Sequence, residues 1–88
     1  MIIEKEVAVK CLEDHFEKSR GTLVVVRPHR WLKRKYGRAD GTKSRELTKI
    51  IETSFATVNF DGRSFYIVKI DKNPIRIFYK VKNKVKKR

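Results

Sequence analysis

Residues 42–70 read TKSRELTKIIETSFATVNFDGRSFYIVKI, and the division of this stretch decides the fold. In its first half Leu47, Ile50, Ile51 and Phe55 recur at three- and four-residue spacing. That spacing gathers them on one face of a helix and leaves Arg45, Thr48, Lys49 and Glu52 on the other. A helix is predicted over about 44–55, with Ser44 or Thr42 as its N-terminal cap. The second half is rich in β-branched and aromatic residues from Thr57 to Phe60 and from Ser64 to Ile70, which predicts two strands. Between them stands Asp61-Gly62, a pair well suited to the two positive φ angles of a type I′ turn. A two-residue loop there sets Phe60 opposite Arg63 and Val58 opposite Phe65, so that Ala56, Val58, Phe65 and Ile67 share the face that closes over the helix. The tip then carries Asn59, Arg63 and Ser64 outward.

Upstream, Ile3, Val7, Cys11, Leu12 and Phe16 mark the apolar stripe of a helix from about Ile3 to Ser19, and Gly21 suits the left-handed position that follows. Its opposite face mixes signs (Glu4, Lys5, Glu13, Asp14, Glu17, Lys18) and belongs to solvent; His15, beside the stripe, reads as a satisfied or solvated group. Thr22 to Val26 is short, β-branched and followed by Arg27-Pro28, so it reads as a short buried strand. Pro28 is suited to open a second helix, His29 to Tyr36, on which Trp31, Leu32 and Tyr36 share one face and read as core ahead of base stacking. Gly37 ends that helix. The segment RADGTK, 38–43, is a polar turn longer than those of the tightest helix-turn-helix units.

Downstream, Asp71 to Pro74 is a turn, and Ile75 to Val81 alternates as a third antiparallel strand or an edge strand added to the hairpin. The chain is therefore expected to be α+β, with residues 1–81 forming one domain and 82–88 a basic tail that is disordered when free.

Charge points to the partner. The 88 residues hold 23 Lys and Arg against 10 Asp and Glu, a net +13. Such an excess repels itself in a compact domain, and a polyanion is its usual complement. The charge is also uneven: residues 1–20 hold five acids and four bases, whereas 27–45 hold eight bases and the last nine residues six more. One basic binding face is expected. No apolar run approaches the ~20 residues that span a bilayer, and no signal-peptide layout opens the chain, so no membrane is expected and a cytoplasmic location is. Cys11 excludes an internal disulfide and reads as core; with only His15 and His29 beside it, no metal-ligand spacing and no cofactor are expected.

The order helix, strand, helix, helix, strand, strand resembles the winged helix-turn-helix family of DNA-binding domains, particularly its small archaeal and archaeal-virus forms. The likeness is carried by VVVRPHRWLKRKYG (24–37), SRELTKIIETSF (44–55) and ATVNFDGRSFYIVKI (56–70). The strand from Ile75 to Val81 and the long 38–43 turn depart from it. The resemblance implies a nucleoid-associated regulator or architectural chromatin protein that binds double-stranded DNA. Its third helix would lie in the major groove with Ser44, Arg45, Thr48 and Lys49 toward bases or phosphates. Arg30, Lys33 and Arg34 would grip the backbone, joined by Arg38 and Lys43, while Asn59 and Arg63 serve the hairpin. Base readout and phosphate contact weigh equally for Arg45; at Arg63 a nucleic-acid contact weighs equally with a pairing to Asp61. If two chains pair, half-sites fall about one helical turn, ~34 Å, apart. The high Lys, Glu, Arg, Ile and Val content and the lack of Gln suit a hyperthermophile source.

A second reading is an RNA- or single-strand-binding basic protein of the ribosome-associated kind, with Tyr66, Phe78 and Tyr79 as an aromatic platform on an open sheet face. Phe65 to Ile70 is apolar on both alternations, and cover for the second face by the last strand or a partner subunit is the more economical account. An enzyme is not expected: phosphodiester hydrolysis needs an acidic metal cluster or a paired acid and base, and the acids here are scattered.

Overall fold

The computed structural model describes residues 2–19, 21–38 and 40–82; the expected tail, apart from Lys82, lies outside the described residues. Three helices and four strands follow the order α1 (Lys5–Lys18), β1 (Leu23–Val26), α2 (Pro28–Tyr36), α3 (Gly41–Ser54), β2 (Thr57–Phe60), β3 (Arg63–Lys72) and β4 (Ile75–Val81). The strands form one antiparallel sheet in the order β1-β4-β3-β2. The α+β expectation holds at this level.

The hairpin has the expected register, with Phe60 paired to Arg63 and Val58 to Phe65. Asp61 and Gly62 both take positive φ, 54° and 78°, as a type I′ turn requires. β4 is the third antiparallel strand, but it is central, lying between β1 and β3, and it is β1 that takes an edge. The reason is composition: Ile77 and Tyr79 are fully buried, and a strand so apolar on one face gains most where it is flanked on both sides.

The sheet turns one face to the helices. Val24 and Val26 of β1, Ile77 and Tyr79 of β4 and Phe65 of β3 join Cys11, Leu12 and Phe16 of α1, Leu32 of α2, and Leu47 and Ile51 of α3 in one core. Phe16 is central to it, with ring centroids 4.8 Å from Phe65, 5.2 Å from Tyr79 and 5.7 Å from Phe60. Each such buried side chain is worth roughly 1.5–3 kcal/mol of transfer free energy. Tyr79 satisfies its hydroxyl by donating to the Phe55 carbonyl at 2.6 Å, which ties β4 to the end of α3. Burial pushes the Tyr79 phenol and the Cys11 thiol well above their ordinary ranges.

The doubly apolar run in β3 has a specific resolution. The register slips between Ile67 and Lys69, so Val68 is an extra residue in the strand. A bulge of this kind shifts the alternation by one. Phe65, Ile67 and Ile70 thereby all face the core, while Tyr66, Val68 and Lys69 are exposed. β4 lies within the sheet, so it does not cover the second face.

Two local expectations are corrected. α1 ends at Ser19 in extended backbone (φ −107°), and Gly21 does not take a positive φ. α3 begins three residues earlier than the apolar spacing implied, because Asp40 caps it, its Oδ1 accepting the Lys43 N–H at 2.8 Å. The connection from α2 to α3 is therefore only residues 37–40.

Candidate nucleic-acid interface

α2 is the most cationic element. Pro28 opens it, Trp31 and Leu32 turn inward, and Arg30, Lys33, Arg34 and Lys35 are all exposed. Gly37, at φ 83°, supplies the left-handed stop and returns its N–H to the Lys33 carbonyl. Tyr36, expected in the core, is exposed and meets Trp31 edge-on at 5.9 Å, because it is the last residue of the helix, a full turn beyond Leu32. Arg38, in the connection, is exposed too.

α2 is anchored to α1 by polar contacts. Trp31 Nε1 donates to Asp14 Oδ2 at 2.7 Å, and Lys35 Nζ approaches the same oxygen at 3.5 Å. The Trp31 hydrogen bond, then the Lys35 charge, hold the Asp14 carboxyl below its ordinary range against the opposing effect of desolvation. His15 bridges the same elements: its Nε2 accepts the Arg27 backbone N–H at 3.1 Å and its Nδ1 lies 2.7 Å from the Cys11 carbonyl. These partners assign the neutral tautomer with the proton on Nδ1. Burial is the main cause that lowers the His15 pKa.

Arg30 and Arg34 share an open groove of about 580 Å³ with Lys18, Arg27 and Lys35, and Asp14 is its one carboxylate. Only the first two of these cations are among the residues expected at a nucleic-acid surface. Arg27, Arg30 and Arg34 recur at three- and four-residue spacing, a signal that reaches back across Pro28 and that the start of a helix at His29 concealed.

On α3 the expected residues divide. Arg45 and Lys49 are exposed, and the Arg45 guanidinium lies back over the first turn, where a Cβ added at Gly41 would meet its Nη1 at 3.2 Å. Lys43 is half-buried and 4.0 Å from Glu46; with Lys49 it lines a different groove, toward Ile2 and Ile3. Thr48 is half-buried and its hydroxyl donates to the Ser44 carbonyl at 2.8 Å.

Ser44 is not at the surface. It is 1% exposed; its Oγ donates to the Asp40 carbonyl at 3.1 Å and stands 2.6 Å from His29 Nδ1. Its hydroxyl therefore pins α3 to α2. The sequence alone gave no sign of this pair, because fifteen residues separate its members.

At the hairpin, Asn59 is exposed and its Oδ1 accepts from Ser64 Oγ at 2.6 Å. Arg63 turns inward instead of projecting. Its guanidinium carbon is 5.1 Å from the Phe65 ring centroid and its Nη1 donates to the Gly21 carbonyl at 3.3 Å. The cause is its register opposite Phe60, which places it on the helix-facing side of the hairpin.

Among the described residues no group of three His, Cys, Asp or Glu could hold a metal ion, and no helix is long and apolar enough to cross a membrane. Comparison with protein-family models, with curated proteins and with solved structures finds no match to this chain.

Proposed function

We propose that this chain binds double-stranded DNA as a winged helix-turn-helix domain. In this reading α3 enters the major groove, α2 lies along the phosphate backbone and the β2–β3 hairpin is the wing. The observation that carries it is the short connection, residues 37–40, between a helix exposing Arg30, Lys33 and Arg34 and a helix exposing Arg45 and Lys49. A connection of this length is the one that tight helix-turn-helix units use. It removes the length departure that the sequence implied.

Arg30, Lys33, Arg34 and Arg38 supply the sequence-independent term, with Arg27 and Lys18 extending it along the groove. In this reading Arg45, exposed on α3, reads a base, since a guanidinium matches O6 and N7 of a guanine. Ser44 has a supporting part, holding the two helices at their angle through His29. The cellular role is that of a small transcription regulator or a nucleoid-associated architectural protein.

A salt titration of affinity for a mixed-sequence duplex of about 30 base pairs, beside its separated strands and a matched RNA duplex, tests the reading. Duplex DNA is expected to bind best. Lys33→Ala should weaken all duplexes alike and reduce the log–log salt slope by about 0.9, the contribution of one phosphate contact. Arg45→Ala should cost roughly 1–3 kcal/mol of discrimination between sites. Affinity unchanged in both variants would overturn the assigned face.

A further inference from the structure

We infer that the sheet face turned away from the helices is a second nucleic-acid site, one that takes a single strand by stacking its bases. The inference shares strand β3 with the wing of the duplex reading but uses none of the side chains assigned there to DNA.

The face is built by strand alternation. Tyr66 pairs with Lys80, which pairs with Leu23; in the neighbouring row Lys69 pairs with Phe78, which pairs with Val25. Residues paired across an antiparallel ladder share a face, so these six stand together, opposite the core side chains of the same strands. Leu23, on the edge strand β1, and Tyr66 and Val68, within the sheet on β3, are 50%, 37% and 46% exposed, which adds apolar surface to this side of the sheet. Tyr66 and Phe78 lie on adjacent strands and are offset by one row. That diagonal is about 7–8 Å, within reach of two rings that serve successive bases.

The bulge contributes directly. Without the extra residue at Val68, the alternation set by Phe65 and Ile67 would send Lys69 to the core side and Ile70 outward. The slip instead places a lysine beside Phe78, with its Nζ 5.7 Å from the ring centroid.

Charge selects the occupant. Lys69, Lys80 and Arg76 stand on this face, and Arg76 lies 5.8 Å from the Phe78 centroid. Among the described residues the carboxylate beside them is Asp71, which is held by Arg76 at 3.0 Å and Lys69 at 3.5 Å. A second copy of the chain would bring the same cations against these, at a cost in repulsion. An unpaired strand brings phosphates to the lysines and flat rings to Tyr66 and Phe78, which is how sheet platforms and single-strand grooves combine stacking with charge.

The test is fluorescence anisotropy of labelled oligothymidylate and oligouridylate of about 15 nucleotides, with the full chain and with Tyr66→Ala, Tyr66→Phe and Lys80→Ala. Tyr66 is exposed, so its loss leaves the core intact; circular dichroism checks this. Tyr66→Ala should weaken both oligomers about 5- to 150-fold, the range general to one stacking ring. Tyr66→Phe should bind as the parent does, and Lys80→Ala should lower the salt slope. Lys80→Ala, on β4 outside the hairpin, should leave duplex affinity unchanged, whereas Lys33→Ala and Arg45→Ala should move only the duplex. Oligomer binding that survives Tyr66→Ala, or that falls equally in Tyr66→Ala and Tyr66→Phe, overturns the inference. So does a dimer in sedimentation that Tyr66→Ala dissociates, because the face would then belong to a second copy. Duplex affinity unchanged in both Lys33→Ala and Arg45→Ala would overturn the duplex reading and leave the sheet site standing, so the two readings fail separately.

Discussion

His15 shows how much one side chain can hold. Its two ring nitrogens join the Cys11 carbonyl of α1 to the Arg27 N–H at the entry to α2, and the second bond requires a lone pair on Nε2. Burial, the largest cause, depresses its pKa from the ordinary 6.5. The unfolded chain therefore takes up a proton first as pH falls. Its contribution to stability is complete above about pH 6.5 and is lost progressively below it, until the folded imidazole protonates as well. Denaturant unfolding at pH 7.5, 6 and 5 should show stability declining toward acid, and His15→Gln should be less stable at pH 7.5 with a flatter decline. A variant that keeps the full slope would remove His15 from this role. At this scale the sequence was only partly readable. Helical spacing placed Cys11, Leu12 and Phe16 in the core, because period alone decides them. Ser44 was misassigned to the surface, because its burial comes from a contact with His29 on another helix, and no local pattern encodes that.

Among the elements, the turns decide where each begins and ends, and two glycines make opposite predictions. Gly62 holds φ 78° in the type I′ turn, a region costly for a side chain even though nothing lies within 4 Å of an added Cβ. Gly21 has ordinary backbone, with only the Leu23 nitrogen 3.9 Å from an added Cβ. Gly62→Ala should destabilise the fold by about 1–2 kcal/mol, whereas Gly21→Ala should be neutral or slightly stabilising, because alanine narrows the unfolded ensemble. Thermal unfolding of the pair checks both, and equal losses would mean that Gly21 is needed after α1 after all. The turn and register of the hairpin were legible, since Asp61-Gly62 and the flanking alternation specify type, length and pairing together. Its side chains were less so: Arg63, expected outward, turns inward, and Ala56, expected on the helix-facing side, is exposed. The start of α3 was less so. Apolar spacing marks the buried stretch of a helix, while Asp40 starts it a turn earlier, and a cap is invisible to periodicity. The central place of β4 was not legible either, because strand order depends on contacts between segments as distant as Val25 and Phe78.

For the whole molecule, layer and charge act together. Among the described residues three helices cover one face of a four-stranded sheet and none covers the other, so two surfaces of different chemistry stand on one small domain. Cations stand on both, Arg30 and Arg34 on one and Lys69 and Lys80 on the other, and few carboxylates answer the net charge of +13: the ion pairs among the described residues use only Asp14, Glu46 and Asp71. Most of the remaining cations therefore repel one another in the folded state more than in the expanded chain. Salt screens that repulsion over about 8–10 Å at ordinary ionic strength. Raising potassium chloride from about 0.05 to 0.5 M should thus raise the midpoint of thermal unfolding, by about 4–8 °C for each kcal/mol of repulsion removed. The same change should weaken duplex and single-strand binding steeply, since both compete with the released counterions. Stability and affinity are thereby driven in opposite directions by one cause. A midpoint that stays level or falls with potassium chloride would mean that the cations are already compensated within the fold. The excess charge would then no longer argue for a polyanionic partner.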